Sequence, residues 1–566
     1  MANSQCHIAH FLTRLVQLKQ GCPAIISGNR RRTGGEFVDG VLGLARGLLE
    51  LGLLFRGEVV VIAALNSDWY LEWILAVTYV GGIIAPLNYR WSIEEARSAL
   101  EVLKPVILVV DEFCSSWVVQ LTNSSSIKSL RLHALIGCNT LSNVSKNANS
   151  LSMDSIRKPS QGTQFIDPIY AINGIALICF TSGTTGQPRG VAISHKALVI
   201  QSLAKITIVG YAEDDVYLHT APLCHIGGIS SCIAMIMAGG CHVFIPKFGA
   251  KLASAAFEQN HVTSLITVPA MLADLISFAR KSNRWNGETV NKILNGGGSL
   301  STELVKGAID LFPNAKIISA YGMTEACSSL TFMLIFDPSS QKLRKSPSCS
   351  EILESNSLQL YVGVCVGKPP PHIELKICCD PTISSSPMVG SILTRGLHVM
   401  IGYWDQLTKT SNCDKSCWLN TGDIGWLDSH GNLWLVGRTK DRIKSGGENI
   451  YPEEVEAVLC QHIGVAGAVV VGIPDTRLTE KIVACVSIEE DWIWVNESAR
   501  NSLEANLLSS EIMQNFCRHR KLTGFKIPKV YMPWRKPFPL TTTGKLRRED
   551  VKKEVMSYLQ LLNSSL

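Results

Sequence analysis

The chain has 566 residues, 46% apolar and 18% charged, a globular composition on a length too great for one hydrophobic core, so two or more domains are expected. Its 53 basic and 47 acidic residues leave a formal charge of +6, a small excess over so large a surface, which argues against nucleic acid as the main partner. Eighteen cysteines, with Cys22, Cys179, Cys232 and Cys485 set in apolar runs, read as small core residues of a reducing, intracellular compartment rather than a disulfide scaffold.

Up to Glu36 the chain carries Arg14, Lys19, Arg30, Arg31 and Arg32 and no acidic residue, the character of an organelle transit peptide. Residues 11–18 nevertheless have the pattern of an amphipathic helix and residues 24–27 that of a strand of the folded domain. Strand-length apolar runs then alternate with helical patterns: 58–64 with 69–80, and 92–103 with 106–110. That alternation predicts α/β architecture with parallel sheets covered by helices. Ser92 and Glu95 form a capping box, Ile93, Ala96, Leu100 and Leu103 keep one face apolar, and Pro105 stops the helix. The longest apolar stretch, 74–87, is broken by Gly81, Gly82 and Pro86 and falls short of the ~20 residues a membrane helix requires. Residues 112–168 and 337–358 are polar and weakly periodic and read as surface excursions without chemistry. The glycosylation-like triplets at Asn123, Asn143, Asn496 and Asn563 are short enough to arise by chance.

The densest motif follows the apolar run 174–180. TSGTTGQPRG, residues 181–190, joins three glycines, four hydroxyls and Arg189, the donors a polyphosphate needs, yet lacks the Gly-Lys-Ser/Thr ending of a Walker loop. NGGGSLS, 295–301, precedes a helix with Leu304, Ala308 and Leu311; its glycines let backbone approach a flat ligand, or form only a tight turn. ISAYGMTEACSS, 318–329, sets Tyr321, Thr324 and Glu325 close together. They suit a base, a phosphate and a magnesium ion, or a core aromatic and a solvated charge. In WLNTGDIGWLD, Asp423 sits in a turn suited to two ribose hydroxyls or to capping the turn itself. GRTKDRIKSGGENIYPEEVE, 437–456, sets a basic cluster before a glycine pair and a helix starting near Pro452. PLTTTGKLRRED, 539–550, presents Lys545 on a loop. Cys413 and Cys417 stand four apart without a local histidine, so no zinc site is expected there.

Together with PLCHIGG at 222–228, these motifs run in the order of the adenylate-forming acyl-CoA synthetase superfamily, which the chain resembles over nearly its whole length. The wider stretches PLCHIGGISS and YGMTEACSS resemble the branch acting on 2-succinylbenzoate in the plant naphthoquinone (phylloquinone) pathway. The resemblance implies a large N-terminal adenylation domain, 1–438, and a small mobile α+β domain, 441–566, hinged at 439–440. It implies an AMP-forming acid–thiol ligase using ATP, magnesium and coenzyme A. Alternatives are a coumarate, aryl- or fatty-acid CoA ligase, or a catalytically silent nucleotide-binding module.

Roles carry over by motif position. Thr181, Ser182, Gly183, Thr184, Thr185 and Gly186 would hold the β- and γ-phosphates, Thr324 the α-phosphate and Glu325 the magnesium. Gly296, Gly297, Gly298, Tyr321 and Gly322 would enclose adenine, and Asp423 and Arg438 the ribose. Lys545 would bridge the reacting carboxylate and α-phosphate, with Lys440 the hinge and Lys444, Gly446 and Gly447 in the loop that replaces it in the thioester step. His225 would line the acyl pocket, where Ser328, Ser329, Ser230 and Ser231 would solvate a second carboxylate. Arg189 stands where the family has lysine and is left outside the set. The resemblance favours the plastid, whereas Ser564-Ser565-Leu566 is related to the address read by the peroxisomal import receptor.

Overall fold

The structure is a computed structural model that describes residues 6–122, 127–137, 149–159, 167–181, 189–282, 285, 287–340, 342–343, 363–379, 388–407, 418–445, 448–495, 506–520, 522, 524–541 and 546–564. They form two compact units, one drawn from Met1–Arg344, Lys368–Glu374 and Arg395–Leu419, the other from Lys345–Gly367, Leu375–Thr394 and Asn420–Leu566.

The first unit holds two large sheets. In one, six parallel strands run in the order Lys316–Met323, Lys292–Asn295, Ser264–Thr267, Val216–His219, Cys241–Phe244, Pro23–Ser27; Ser328–Asp337 pairs antiparallel with the first and Arg30–Thr33 with the last. The other is centred on Val59–Ala63, flanked in parallel by Ile83–Pro86 and Ile107–Val110. The wholly buried run Val-Val-Val-Ile-Ala of Val59–Ala63 is what a strand covered on both faces requires. Helices Gly34–Glu50, Asp68–Tyr79, His195–Val209 and Ile226–Ala238 pack between the sheets around Phe37, Leu44, Trp73, Leu198 and Ile229, all fully buried.

Local signals and structure agree closely here. Helix Ile93–Leu103 has both halves of the Ser92/Glu95 capping box and ends at Lys104 in the left-handed conformation, before Pro105. The basic N-terminal stretch is built into the unit: Leu12 and Leu15 of helix Phe11–Lys19 are buried, and Arg32 pairs with the buried Glu72 at 2.7 Å. Residues 112–168 are not a mere surface excursion. Leu132–Leu135 and Ser150–Ser152 extend the second sheet in parallel, and Arg157 pairs with Glu72 at 2.5 Å. Their strands are only three and four residues long, too short for periodicity to show against the polar flanks. Among the described residues no helix is long and apolar enough to cross a membrane, and the described cysteines are free thiols.

The second unit contains a sheet in the order Val364–Gly367, Leu433–Arg438, Leu419–Leu427, Gly390–Arg395, Glu374–Cys378, its first three strands antiparallel. A further sheet centres on the long pair Val465–Asp475 and Thr479–Ile488, which Val530–Pro533 joins in parallel. Helix Pro452–Leu459 starts at the predicted proline.

Candidate active site

In the first unit the hairpin Ile175–Thr181 and Arg189–Ser194 carries the glycine-rich loop, with Thr181 registered opposite Arg189. Ser182, Gly183, Thr184, Thr185 and Gly186 lie outside the described residues. The 3-10 turn Thr324–Ala326 touches both strands of that hairpin. Thr324 and Glu325 therefore stand beside the root of the loop, as a phosphate site needs. The Tyr403 hydroxyl donates to Glu325 Oε1 at 2.9 Å, and Met400 N–H donates to the Glu325 carbonyl at 2.8 Å. Burial, followed by the neighbouring Glu325 charge, pushes the Tyr403 phenol up to about 12, so it remains a neutral donor. The Arg189 guanidinium lies over the Tyr403 ring, 3.4 Å from its centre. Arg189, set aside on sequence grounds, is thus tied through Tyr403 to Glu325. Tyr403 itself was not found from sequence, because it lies 78 residues from its partner in a two-residue strand, Gly402–Tyr403.

Tyr321 lies on strand Lys316–Met323, opposite Thr331. Gly322 follows at a register shift where any Cβ would overlap the Ser328 carbonyl, so the close crossing of the two strands demands glycine. Gly296, Gly297 and Gly298 follow strand Lys292–Asn295. Asn295 Nδ2 donates to the Gly298 carbonyl at 2.8 Å, and Gly297 takes φ +76°, which a side chain would strain. His225 is half-buried at the N-cap of helix Ile226–Ala238 without capping it through its side chain.

The serines around the acyl motifs converge on a residue the sequence reading passed over. Lys205, wholly buried on helix His195–Val209, donates to Ser230 Oγ at 2.5 Å, Ser231 Oγ at 3.0 Å and Ser328 Oγ at 3.3 Å. Burial lowers its ammonium to about 7. Ser329 is buried beside this group, with 3.4 Å between its hydroxyl and that of Ser328, and its carbonyl accepts from Gln201 Nε2 at 2.8 Å. A lysine on the helix opening HKALVIQSLAKITIV gives no local sign that it points inward; the hydrophobic positions around it are the only hint.

In the second unit Asp423 and Arg438 are cross-strand partners, Arg438 Nε standing 3.5 Å from Asp423 Oδ1. Lys440 and Lys444 are exposed, and the Lys444 backbone N–H donates to Glu480 at 2.8 Å. Gly446, Gly447 and Lys545 lie outside the described residues, as do Cys413, Cys417, Asn123, Asn143, Asn496, Ser565 and Leu566. The flanks of Lys545 are fixed: Leu540 and Leu546 form an antiparallel bridge, and Arg547 N–H donates to the Pro539 carbonyl at 2.9 Å. Arg548 then bonds Glu456 and the Val470 carbonyl and reaches Glu453 at 3.4 Å, joining two motifs 92 residues apart.

The hairpin, the Thr-Glu turn and the glycine-lined strand end thus belong to the first unit and the Asp/Arg pair to the second. Residues 12–404 match the AMP-binding enzyme family and residues 454–545 its C-terminal domain, and the chain belongs to that family. It is 51% identical, across 100% of both chains, to the 2-succinylbenzoate–CoA ligase, chloroplastic/peroxisomal, of Arabidopsis thaliana. It is also 28% identical to the indoleacetate–CoA ligase of Aromatoleum aromaticum, over 97% of this chain and 98% of that one. Among solved structures, the o-succinylbenzoate CoA synthetase of Bacillus subtilis in complex with its acyl-adenylate intermediate shares the fold, with a TM-score of 0.73 at 24% identity over 96% and 97% of the two chains.

Proposed function

We infer that this chain is an ATP-dependent acid–CoA ligase that activates the succinyl carboxylate of 2-succinylbenzoate as an acyl-adenylate and transfers it to coenzyme A. The observation that carries this reading is the 51% identity over the full length of the Arabidopsis ligase. The compartments are those in that relative's name, plastid and peroxisome.

In the first half-reaction a carboxylate oxygen attacks the α-phosphorus of ATP and pyrophosphate leaves. In the second, the CoA thiol attacks the acyl carbon and AMP leaves. Both need positioning and charge neutralisation more than covalent help. The hydroxyls and backbone of residues 181–186 hold the β- and γ-phosphates, and Thr324 the α-phosphate. Gly296 to Gly298 and Tyr321 enclose adenine; Asp423 accepts from the ribose hydroxyls and Arg438 keeps that carboxylate oriented. Lys545 supplies positive charge to the adenylation step. We assign the adenylation domain to 1–438 and the mobile domain to 441–566, turning at Lys440.

Glu325 fits a magnesium ion: Tyr403 fixes one carboxylate oxygen, and the other has no hydrogen bond among the described residues. A magnesium ion there would offset the charge of the triphosphate.

The test is AMP formation with ATP, magnesium and CoA across 2-succinylbenzoate, 4-coumarate, benzoate and a medium-chain fatty acid. A large preference for 2-succinylbenzoate is expected. Turnover of another acid would keep the mechanism and refute the substrate, and silence on all four with ATP bound would mark an inactive nucleotide-binding module.

A further inference from the structure

Several half-buried cations among the described residues are paired with carboxylates. Arg32 and Arg157 meet Glu72, Lys292 meets Asp215 at 2.8 Å, and Arg548 meets Glu456. Lys205 departs from that rule. It is 0% exposed, and its polar partners among the described residues are three serine hydroxyls, with no carboxylate in ion-pair reach. An ammonium in a protein interior without a counter-charge is costly, and hydroxyl dipoles replace only part of its lost hydration.

Its location says what could complete it. Ser230 and Ser231 lie on the helix that begins directly after His225, and Ser328 is registered opposite Met323, next to Thr324 and Glu325. The lysine therefore joins the two stretches that the family resemblance assigns to the acyl pocket. Ser230 and Ser231 are buried whereas Ser328 is half-buried, so the ammonium is approached from the Ser328 side. Cys327 and Ser328 both take positive φ, 53° and 104°, conformations a non-glycine residue holds only where its surroundings impose them. A dicarboxylic acid with one carboxylate at the α-phosphate must bury the other, and an unpaired ammonium is the group that makes that burial favourable.

Resting on the substrate reading above, we propose that Lys205, held by Ser230, Ser231 and Ser328, is the specificity-determining cation that pairs with the ring carboxylate of 2-succinylbenzoate. The cation site is thus built in beforehand, and the correct acid supplies the carboxylate that compensates its charge. An acid lacking the second carboxylate leaves it so, which makes the lysine a means of rejection as well as attraction.

The test compares kcat/KM for AMP formation on 2-succinylbenzoate and on 4-oxo-4-phenylbutanoate, which keeps the succinyl carboxylate and lacks the ring one, in the wild type and in Lys205→Met. The preference for the diacid is expected to fall by about 30-fold or more, mainly through KM. An unchanged preference, or an equal loss on both acids as a packing role would give, overturns the proposal while leaving the substrate reading intact. A wild type that does not turn over 2-succinylbenzoate overturns the substrate reading and the proposal with it. A second measurement needs no variant: titration calorimetry of the wild-type enzyme at pH 8 in two buffers of different ionisation enthalpy, with a non-hydrolysable ATP analogue present. Proton uptake on binding the diacid but not the monoacid is expected, because a carboxylate partner restores the charged lysine; equal uptake overturns the assignment.

Discussion

Tyr403→Phe removes one oxygen and little else. The ring stays, so the Arg189 guanidinium keeps the surface it lies on at 3.4 Å, while Glu325 Oε1 loses the donor it had at 2.9 Å. A hydrogen bond to a charged acceptor contributes about 1.5–3 kcal/mol, and Glu325 is half-buried, so the lower end of that range applies. At about 1.4 kcal/mol per factor of ten, the loss of a carboxylate held in place for adenylation is about tenfold in kcat/KM. The assay is pyrophosphate release with saturating ATP and 2-succinylbenzoate, repeated over a magnesium titration, since a loosened Glu325 should raise the magnesium concentration at half-maximal rate. A variant within twofold of the wild type, with an unchanged magnesium dependence, would refute the idea that Tyr403 positions Glu325. Tyr403→Leu, which also removes the arginine's platform, should lose more than Tyr403→Phe.

Lys545→Ala is expected to slow adenylation by about a hundredfold or more, as loss of one preorganised charge-stabilising group typically does. Supplied with preformed acyl-adenylate, the same variant should form thioester within a few-fold of the wild type, and equal losses in both half-reactions would contradict the assigned role. Glu72→Gln leaves Arg32 and Arg157 facing a neutral, fully buried amide, so a loss of about 3–5 kcal/mol in unfolding free energy is expected from urea titration. Lys205 also sets a pH dependence of stability. The groups that face it are the hydroxyls of Ser230, Ser231 and Ser328 and the Cys327 thiol, which burial pushes up to about 12. Its ammonium is lowered to about 7 in the folded protein from an ordinary 10.5, so between those values the unfolded chain binds more protons and stability rises with pH. Below pH 7 both states hold the proton, so the slope ends and the burial cost is at its fullest; in Lys205→Met the rise between pH 7 and 10.5 should be smaller, and identical profiles would show that the lysine is not desolvated.

The sequence by itself determined the parts of this protein that depend on neighbours along the chain. The Ser92/Glu95 box and Pro105 bounded a helix because capping acts within one turn, and the apolar run 58–64 marked a strand because both its faces are covered. The hairpin that flanks the glycine-rich motif, the Thr-Glu turn and the strand end before Gly296 could be placed from sequence because each is encoded within one short stretch. Short elements escaped: strands Leu132–Leu135 and Ser150–Ser152 are specified by the sheet they extend rather than by their own pattern. Only the tertiary structure decided which distant residues meet. It set Tyr403 on Glu325, brought Arg548 to Glu453 and Glu456, and turned Lys205 inward onto serines from two other elements. The serines could be noticed in their motifs, but the charge they surround could not. Whether a lysine on a helix is solvated or buried depends on what packs against its face, and packing is a property of the fold, not of the segment.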